Sequence, residues 1–293
     1  MKPAPFEYKA PDSIEETLTL LREYGSEAKL LAGGQSLVPA MNFRVVQPGA
    51  LIDLNRVGEL VYIREEESVL RIGAMTRERQ LEFDPLIPKW SPLLEEAMPH
   101  VAHPQIRNRG TLGGSLANAD PAAELPVIML ALEARLKVCS TSGERWVDAH
   151  NFFSGMFTTD LAPDEMLVEI LLPAMQPYTG WAFMEVAPRA GDYALMGVAA
   201  LVTLDENGVC RQARLVYLNG GDGPVDAKDA AAILKGQIPG DDVMESAADS
   251  GSQKEINPFG NVHASPDFQR HLARVLTRKA LQEAVTRASK DHL

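Results

Sequence analysis

The sequence predicts an α+β protein, and three patterns along the chain support this class. The first 55 residues alternate strand and helix in the order β-α-β-α-β. A second run of strands and helices reaches about residue 175, where two prolines and a glycine in residues 173–180 indicate a linker. Three longer strands then precede a group of helices. We therefore expect domains at residues 1–55, 56–175 and 176–293, the last with a three-stranded sheet plus helices.

The first domain has clear start and stop signals. Ser13 is placed to cap a helix whose capping box is completed by Glu16, and Gly25 ends that helix. Apolar runs predict strands at residues 6–9, 29–32 and 51–54, and a second helix at residues 37–44.

The second domain is predicted from shorter patterns. Thr76 is placed to cap a helix at residues 77–83, and prolines at positions 85, 88 and 92 interrupt the helical pattern beyond it. Alternating residues on either side of Thr141, Ser142 and Gly143 predict a hairpin. Further strands are expected at residues 69–74 and 166–172, and further helices at residues 93–98 and 122–132.

The third domain begins with strands predicted at residues 181–186, 198–204 and 209–218. Asn207 and Gly208 form a strong hairpin signal between the last two strands. Helices are expected at residues 227–234, 242–248 and 267–288, with a polar loop at residues 250–264.

Composition excludes several classes of function. The 293 residues carry a formal net charge of −12, which argues against nucleic acid as a partner because phosphate backbones require a basic face. There is no apolar run of membrane-spanning length and no signal peptide, so we predict a cytoplasmic protein. The only two cysteines, Cys139 and Cys210, are too few to ligate an iron–sulfur cluster, and the six histidines show no metal-binding pattern. Redox chemistry would therefore need an organic cofactor.

The turn at residues 32–36, the first glycine loop, is the feature around which the chain is organised. Gly33 and Gly34 interrupt an apolar strand, and Gln35 and Ser36 lead into a helix. Such a turn exposes main-chain N–H groups that suit a phosphate, although alone it is more often a simple tight turn. Neither a Walker loop nor a Rossmann fingerprint is present.

A second glycine segment, residues 111–115, resembles the first in composition. Thr111, Gly113, Gly114 and Ser115 predict a second loop able to hold phosphate, so that two loops would share one ligand. Glu124 lies further along the chain and is able to accept a hydrogen bond from a ribityl or ribose hydroxyl. The alternative, favoured from spacing alone, is an acid stabilised by a helix N-terminus.

Three ordered motifs give the chain a family resemblance. Residues 32–36, residues 106–115 and the pattern Asp120-Pro121-x-x-Glu124 resemble the FAD-binding medium subunit of the molybdenum hydroxylases, of the carbon monoxide dehydrogenase and xanthine dehydrogenase type. Residues 189–194 and 261–270 resemble the same family. The resemblance implies the two-subdomain FAD-binding fold of the vanillyl-alcohol oxidase type with a C-terminal α+β domain.

The resemblance also implies which residues contact a non-covalently bound FAD. Two glycine segments would hold the pyrophosphate, Glu124 the ribityl or adenosine portion, Leu167 the flavin through its backbone, and Tyr193 the isoalloxazine. Ser115 replaces a common asparagine and Glu124 a more usual aspartate. The implied set is Ala32, Gly33, Gly34, Gln35, Ser36, Thr111, Leu112, Gly113, Gly114, Ser115, Glu124, Leu167 and Tyr193.

The implied function is electron transfer within a heterotrimer. A large subunit with molybdopterin would oxidise the substrate, a small [2Fe-2S] subunit would relay electrons, and FAD on this chain would deliver them to an external acceptor. No catalytic acid, base or metal ligand is expected here. The alternatives are a stand-alone FAD-dependent oxidoreductase of the same fold and a non-catalytic assembly module.

Overall fold

Three β-sheets organise the protein, whose computed structural model describes residues 2–290. One sheet lies in each of the three predicted ranges, and a separate two-stranded ribbon lies in the second. Where one domain ends and the next begins stays a prediction. No helix within residues 2–290 is both long enough and apolar enough to cross a membrane.

The first sheet is parallel, with its strands in the order β1-β3-β2. Parallel neighbours require crossover connections, and here two helices supply them. The predicted helix start is confirmed, because the N–H of Glu16 donates to Ser13 Oγ at 3.1 Å. The elements are β1 (Glu7–Lys9), α1 (Ile14–Tyr24), β2 (Ala28–Leu31), α2 (Leu37–Asn42) and β3 (Ala50–Asp53).

The second sheet has five antiparallel strands in the order β4-β5-β10-β6-β7. Its edge strand β4 was not predicted, because three of its four residues are charged and exposed and show no apolar alternation. The predicted hairpin is confirmed as β6 paired with β7. The elements are β4 (Ile63–Glu66), β5 (Val69–Gly73), α3 (Glu78–Phe83), α4 (Leu86–Trp90), α5 (Pro92–Ala97), α6 (Pro104–Arg107), α7 (Leu112–Asn118), α8 (Glu124–Ala131), β6 (Arg135–Ser140), β7 (Gly143–Asp148), α9 (Ala149–Phe152), β8 (Phe153–Gly155), β9 (Thr158–Thr159) and β10 (Met166–Pro173).

Thr76 does not cap a helix, contrary to the prediction. Its hydroxyl donates to the carbonyl of Tyr62 at 2.9 Å and so joins two chain segments inside the domain. Helix α3 begins two residues later, where the N–H of Arg77 donates to Gln80 Oε1 at 2.9 Å. The long-range bond to Tyr62 explains the difference, since a local pattern cannot show it.

The third sheet has four strands, in the order β11-β12-β13-β14, rather than the three expected. The fourth strand has only two residues, too short to produce an alternation. Part of the expected loop at residues 250–264 is also helical, because a π-helical turn, Gly251–Glu255, extends α11. The elements are β11 (Thr179–Val186), β12 (Met196–Leu204), β13 (Cys210–Leu218), β14 (Val225–Asp226), α10 (Lys228–Leu234), α11 (Asp241–Ser250) and α12 (Pro266–Lys290).

Helix α8 connects the second and third sheets. Every residue of α8 is buried, which is the pattern of a helix enclosed on all sides. It packs against α5 in its own domain and against β12 and β13 of the third sheet. The candidate site lies beside this junction, because α7 and the first turn of α8 carry several of its residues.

Candidate functional site

The first glycine loop provides free main-chain donors. It comes directly after β2, and Gly34 turns the chain with a φ of +76° before α2 begins at Leu37. Within residues 2–290, the N–H groups of Gly33, Gly34, Gln35 and Ser36 have no protein acceptor. Four neighbouring N–H groups without partners form an environment suited to an anion.

The second glycine segment differs from the expected loop. Residues 112–115 form the first turn of α7, and Thr111 is its N-cap. The N–H groups of this turn are already used: Leu112 donates to Thr76 O, Gly113 to Ala74 O, Gly114 to Thr111 Oγ1 and Ser115 to Thr111 O. Among the described residues, only the N–H of Thr111 lacks a protein acceptor in this segment. Its glycines therefore serve close packing more than anion binding.

The two glycine segments are in direct contact. A β-carbon on Gly33 would lie 2.3 Å from the carbonyl oxygen of Arg109, and one on Gly114 would lie 3.2 Å from the β-carbon of Ala32. A β-carbon on Gly113 would lie 2.6 Å from that of Ala74. Small residues at these positions allow the backbones of the two segments to approach each other.

Two polar side chains that sequence reasoning missed join the segments. Asn55 Nδ2 donates to the carbonyl of Ala32 at 3.1 Å, and Arg77 Nη2 donates to Asn55 Oδ1 at 2.6 Å. Arg77 Nη1 also donates to the carbonyl of Arg109. Asn55 lies two residues after β3, in the 3-10 turn Leu54–Arg56, and Arg77 directly precedes α3; neither position carries a recognisable motif.

Positive charge is concentrated on this side of the site. The pKa of the Arg77 guanidinium is lowered, mainly by burial and to a smaller extent by the positive charge of Arg109. Two mutually repelling cations beside four free N–H groups favour an anionic group that would neutralise them.

Negative charge is concentrated further along the same chain segment. Glu124 is 7% exposed, and its carboxyl forms no hydrogen bond with another residue within 2–290. Burial raises the pKa of Glu124 to about 8, and the charges of Glu185, Glu78 and Asp120 contribute in the same direction. Such a carboxyl suits a ligand hydroxyl, which would supply the missing hydrogen bond.

Glu78 lies behind the second glycine segment. A β-carbon on Gly110 would lie 2.2 Å from Glu78 Oε2, and that oxygen is buried without a partner among the described residues. Burial raises the pKa of Glu78 to about 7.

Leu167 is buried on β10, where the pairing with β6 is interrupted by a register shift. The neighbouring carbonyl of Val168 accepts the N–H of Ala74 at 3.0 Å, and the carbonyl of Ala74 in turn accepts the N–H of Gly113. The backbone around Leu167 is therefore linked to the second glycine segment through one residue.

Tyr193 comes from the third sheet, in the connection between β11 and β12. Tyr193 is 69% exposed, so it is not part of the hydrophobic core. The pKa of Tyr193 is raised, mainly by desolvation and to a smaller extent by the negative charges of Asp120 and Glu124. The phenol thus faces the acidic part of the site.

The donors, acceptors and ring together match the chemistry of FAD. Free N–H groups and cations suit a pyrophosphate, a buried carboxyl suits a ribityl or ribose hydroxyl, and an exposed aromatic suits the flavin ring. Cys139 and Cys210 are free and buried, and they lie on separate sheets.

Two family models together match most of the chain. One, described as the FAD binding domain in molybdopterin dehydrogenase, matches residues 4–175. The other, described as the CO dehydrogenase flavoprotein C-terminal domain, matches residues 181–284.

Individual proteins are similar over the whole length. The 6-hydroxypseudooxynicotine dehydrogenase complex subunit alpha of Paenarthrobacter nicotinovorans is 41% identical, with 100% of this chain and 100% of that protein covered. The carbon monoxide dehydrogenase medium chain of Hydrogenophaga pseudoflava is 37% identical, with 99% and 100% covered. In the structure of carbon monoxide dehydrogenase from that organism lacking the Mo-pyranopterin moiety, a chain matches with a TM-score of 0.95 and 39% identity, covering 98% of this chain and 99% of that one.

Proposed function

This chain belongs to the family of FAD-binding medium subunits of molybdenum hydroxylases, and from that membership we propose how its residues hold the flavin. It is the FAD subunit of a multi-subunit, molybdenum-containing dehydrogenase of the carbon monoxide dehydrogenase type. The fold expected from the resemblance is confirmed over 98% of the chain.

The first glycine loop binds the pyrophosphate in this proposal. The observation that carries it is the set of four N–H groups at residues 33–36 that have no acceptor in the described part of the chain and lie beside the guanidinium groups of Arg77 and Arg109. The second glycine segment contributes the N–H and hydroxyl of Thr111, while its glycines keep α7 close to the first loop.

The remaining predicted residues act on other parts of the cofactor. Glu124 accepts a hydrogen bond from a ribityl or ribose hydroxyl, the backbone near Leu167 borders the flavin, and Tyr193 lies against the isoalloxazine. Bound FAD supplies redox chemistry that links an electron donor to an acceptor. The residues of this chain bind and orient it and exclude water; none acts as a catalytic acid or base.

The complex contains two further subunits in this proposal. A large subunit carries molybdopterin and a small one carries [2Fe-2S] clusters, since the two buried cysteines of this chain offer no cluster site. An external acceptor takes the electrons from FAD. The buried free thiols accord with a cytoplasmic location.

Two measurements test the proposal. The full chain, freed of flavin and titrated with FAD, is expected to bind one equivalent that denaturation releases. Purification from the native host is expected to yield molybdenum, iron and two further chains. A chain that takes up no FAD would exclude the proposed site, and turnover of an organic substrate by the isolated chain would favour the stand-alone oxidoreductase instead.

A further inference from the structure

The connection at residues 187–195, here called the tyrosine loop, carries Tyr193 from the third sheet. It reaches toward the segment Asp120–Glu124 of the second domain, here called the acidic segment. Tyr193 itself is exposed, and the structure gives its side chain no hydrogen bond within residues 2–290. Its position must therefore come from residues that hold the loop on either side of it.

The C-terminal end of the loop is held by two side-chain amides. Asn219 Nδ2 donates to the carbonyl of Ala194 at 3.0 Å and to that of Leu195 at 3.4 Å. Gln269 Nε2 donates to the same Leu195 carbonyl at 2.9 Å. Gln269 is 1% exposed, and its Oε1 accepts the N–H of Gly260 at 2.9 Å, so its own position is fixed.

The middle of the loop rests on the second domain. Gly191 has a φ of +83°, and a β-carbon there would lie 1.9 Å from Nδ1 of His103. The histidine ring thus packs on the glycine backbone, in the segment that leads to the second glycine segment. A side chain at position 191 would lift the loop from this surface.

Asn219 also contacts the acidic segment. Its main-chain N–H donates to the carbonyl of Pro121 at 3.0 Å. Asn219 has a φ of +58°, a left-handed conformation that asparagine adopts more readily than most residues. In this conformation the backbone meets Pro121 while the side chain meets Ala194 and Leu195.

We propose that Asn219 is a positioning residue that holds the tyrosine loop in register with the segment Asp120–Glu124, and thereby sets how Tyr193 lies against the flavin. The inference rests on the proposed function for the flavin itself. The placement of the loop, however, is a property of the chain without cofactor. Asn219 thus contacts both segments, the acidic one through its main-chain N–H and the tyrosine loop through its side-chain amide, so loss of that amide should free Tyr193 without removing any group that touches FAD.

The test uses Asn219→Gly, which keeps the left-handed backbone and the N–H to Pro121 but removes the amide. In the flavin-free full chain, hydrogen exchange of residues 187–195 is expected to become roughly fivefold to tenfold faster, as the loss of one or two neutral hydrogen bonds implies. Glu67→Gly is the matched control, because Glu67 also has a left-handed φ of 52° but lies in the exposed turn between β4 and β5.

With FAD added, the same variant separates positioning from binding. An aromatic ring stacked on a flavin quenches its fluorescence, so Asn219→Gly and Tyr193→Leu are both expected to raise the fluorescence of bound FAD. Affinity for FAD should change less than about threefold in Asn219→Gly, since the pyrophosphate donors are intact. The double variant should match Tyr193→Leu, because the two residues act through one path.

Three results would overturn the inference: unchanged exchange of the loop in Asn219→Gly, unchanged fluorescence in that variant where Tyr193→Leu raises it, or full additivity in the double variant. If the parent chain binds no FAD, the proposed function fails. The exchange measurement on the flavin-free chain then still decides whether Asn219 holds the loop.

Discussion

The backbone of Gly33 packs against the carbonyl of Arg109 so closely that a β-carbon on Gly33 would lie 2.3 Å from that oxygen. The same β-carbon would lie 2.8 Å from the α-carbon of Gly110. Both neighbours are main-chain atoms, which cannot rotate away as a side chain would. This contact joins the two glycine segments into one site.

Gly33→Ala is therefore expected to separate the two segments. Overpacking typically costs about 1–3 kcal/mol, and here it falls on the donors proposed for the pyrophosphate. The dissociation constant for FAD should rise roughly tenfold to a hundredfold, measured by titrating the flavin-free chain and monitoring flavin fluorescence.

Gly58→Ala is the matched control, because a β-carbon there meets no atom within 4 Å. Gly58 follows the last strand of the first sheet, at the start of the 3-10 turn Gly58–Leu60, and its substitution should leave FAD affinity at the parent value. Parent-like affinity in Gly33→Ala as well would show that the close contact has no role in binding.

The first glycine loop was predictable because its signals are local. A short apolar strand, two glycines and a helix start are adjacent in the sequence, and the structure has each of them. The second glycine segment has a similar amino-acid composition but a different structure. Thr111 Oγ1 accepts the N–H of Gly114, and Ala74 O accepts that of Gly113, so the residues enter a helix. The contact with Ala74 is long-range and leaves no local pattern.

One physical reason explains why four polar residues were not predicted as part of the site: Asn55, Arg77, Asn219 and Gln269. Each is a single polar residue whose partner is distant in the chain, as with Gln269 and the Leu195 carbonyl. The one available signal was Asn219 with two glycines after it at the end of a predicted strand, a pattern typical of a left-handed turn.

Glu124 should make stability depend on pH. Its pKa is raised to about 8 in the folded chain, whereas an unfolded glutamate titrates near its ordinary pKa of 4.5. Between these two pH values the folded carboxyl keeps its proton and the unfolded one does not. The contribution of this group to the free energy of unfolding is therefore fully present below about pH 4.5 and is lost as the pH rises through about 8. Glu124→Gln removes the charge and should stabilise the flavin-free chain at pH 8.5 by a few kcal/mol, with little effect at pH 4.5.

Urea unfolding of parent and variant at the two pH values measures this difference. Glu23→Gln, at an exposed position on α1, serves as control and should show no comparable gain at pH 8.5. An equal effect of Glu124→Gln at both pH values would contradict the assigned titration. FAD affinity should survive Glu124→Gln, which keeps an acceptor oxygen, and fall in Glu124→Leu.

Thr111 is expected to stabilise the start of α7 through its hydroxyl. The side chain is 1% exposed, and Oγ1 accepts the N–H of Gly114 at 3.1 Å. Thr111→Val has nearly the same shape but leaves that N–H without an acceptor, so the free energy of unfolding should fall by about 1–2 kcal/mol. Thr111→Ser keeps the hydroxyl and should lie much closer to the parent in urea unfolding. The hydrogen bond would be unimportant if both variants unfolded at the same urea concentration.

Glu96 and Arg287 join the second and third domains, and their loss should weaken the attachment between them. Arg287 Nη1 donates to Glu96 Oε2 and, at 2.9 Å, to the carbonyl of Trp181. Glu96 Oε1 accepts the N–H of Phe183 at 3.0 Å. One carboxylate on α5 thus holds both β11 and the C-terminal helix.

Glu96→Ala should lower the free energy of unfolding by about 1–3 kcal/mol, because both side chains are 26% exposed and the Phe183 N–H loses its acceptor. Lys89→Ala is the control: its ion pair with Glu65 is 60% and 47% exposed and should contribute less than about 1 kcal/mol. Since α8 and the tyrosine loop lie at the same domain contact, Glu96→Ala should also raise the fluorescence of bound FAD, as Asn219→Gly does. Destabilisation without a change in fluorescence would show that the two contacts between the domains act independently.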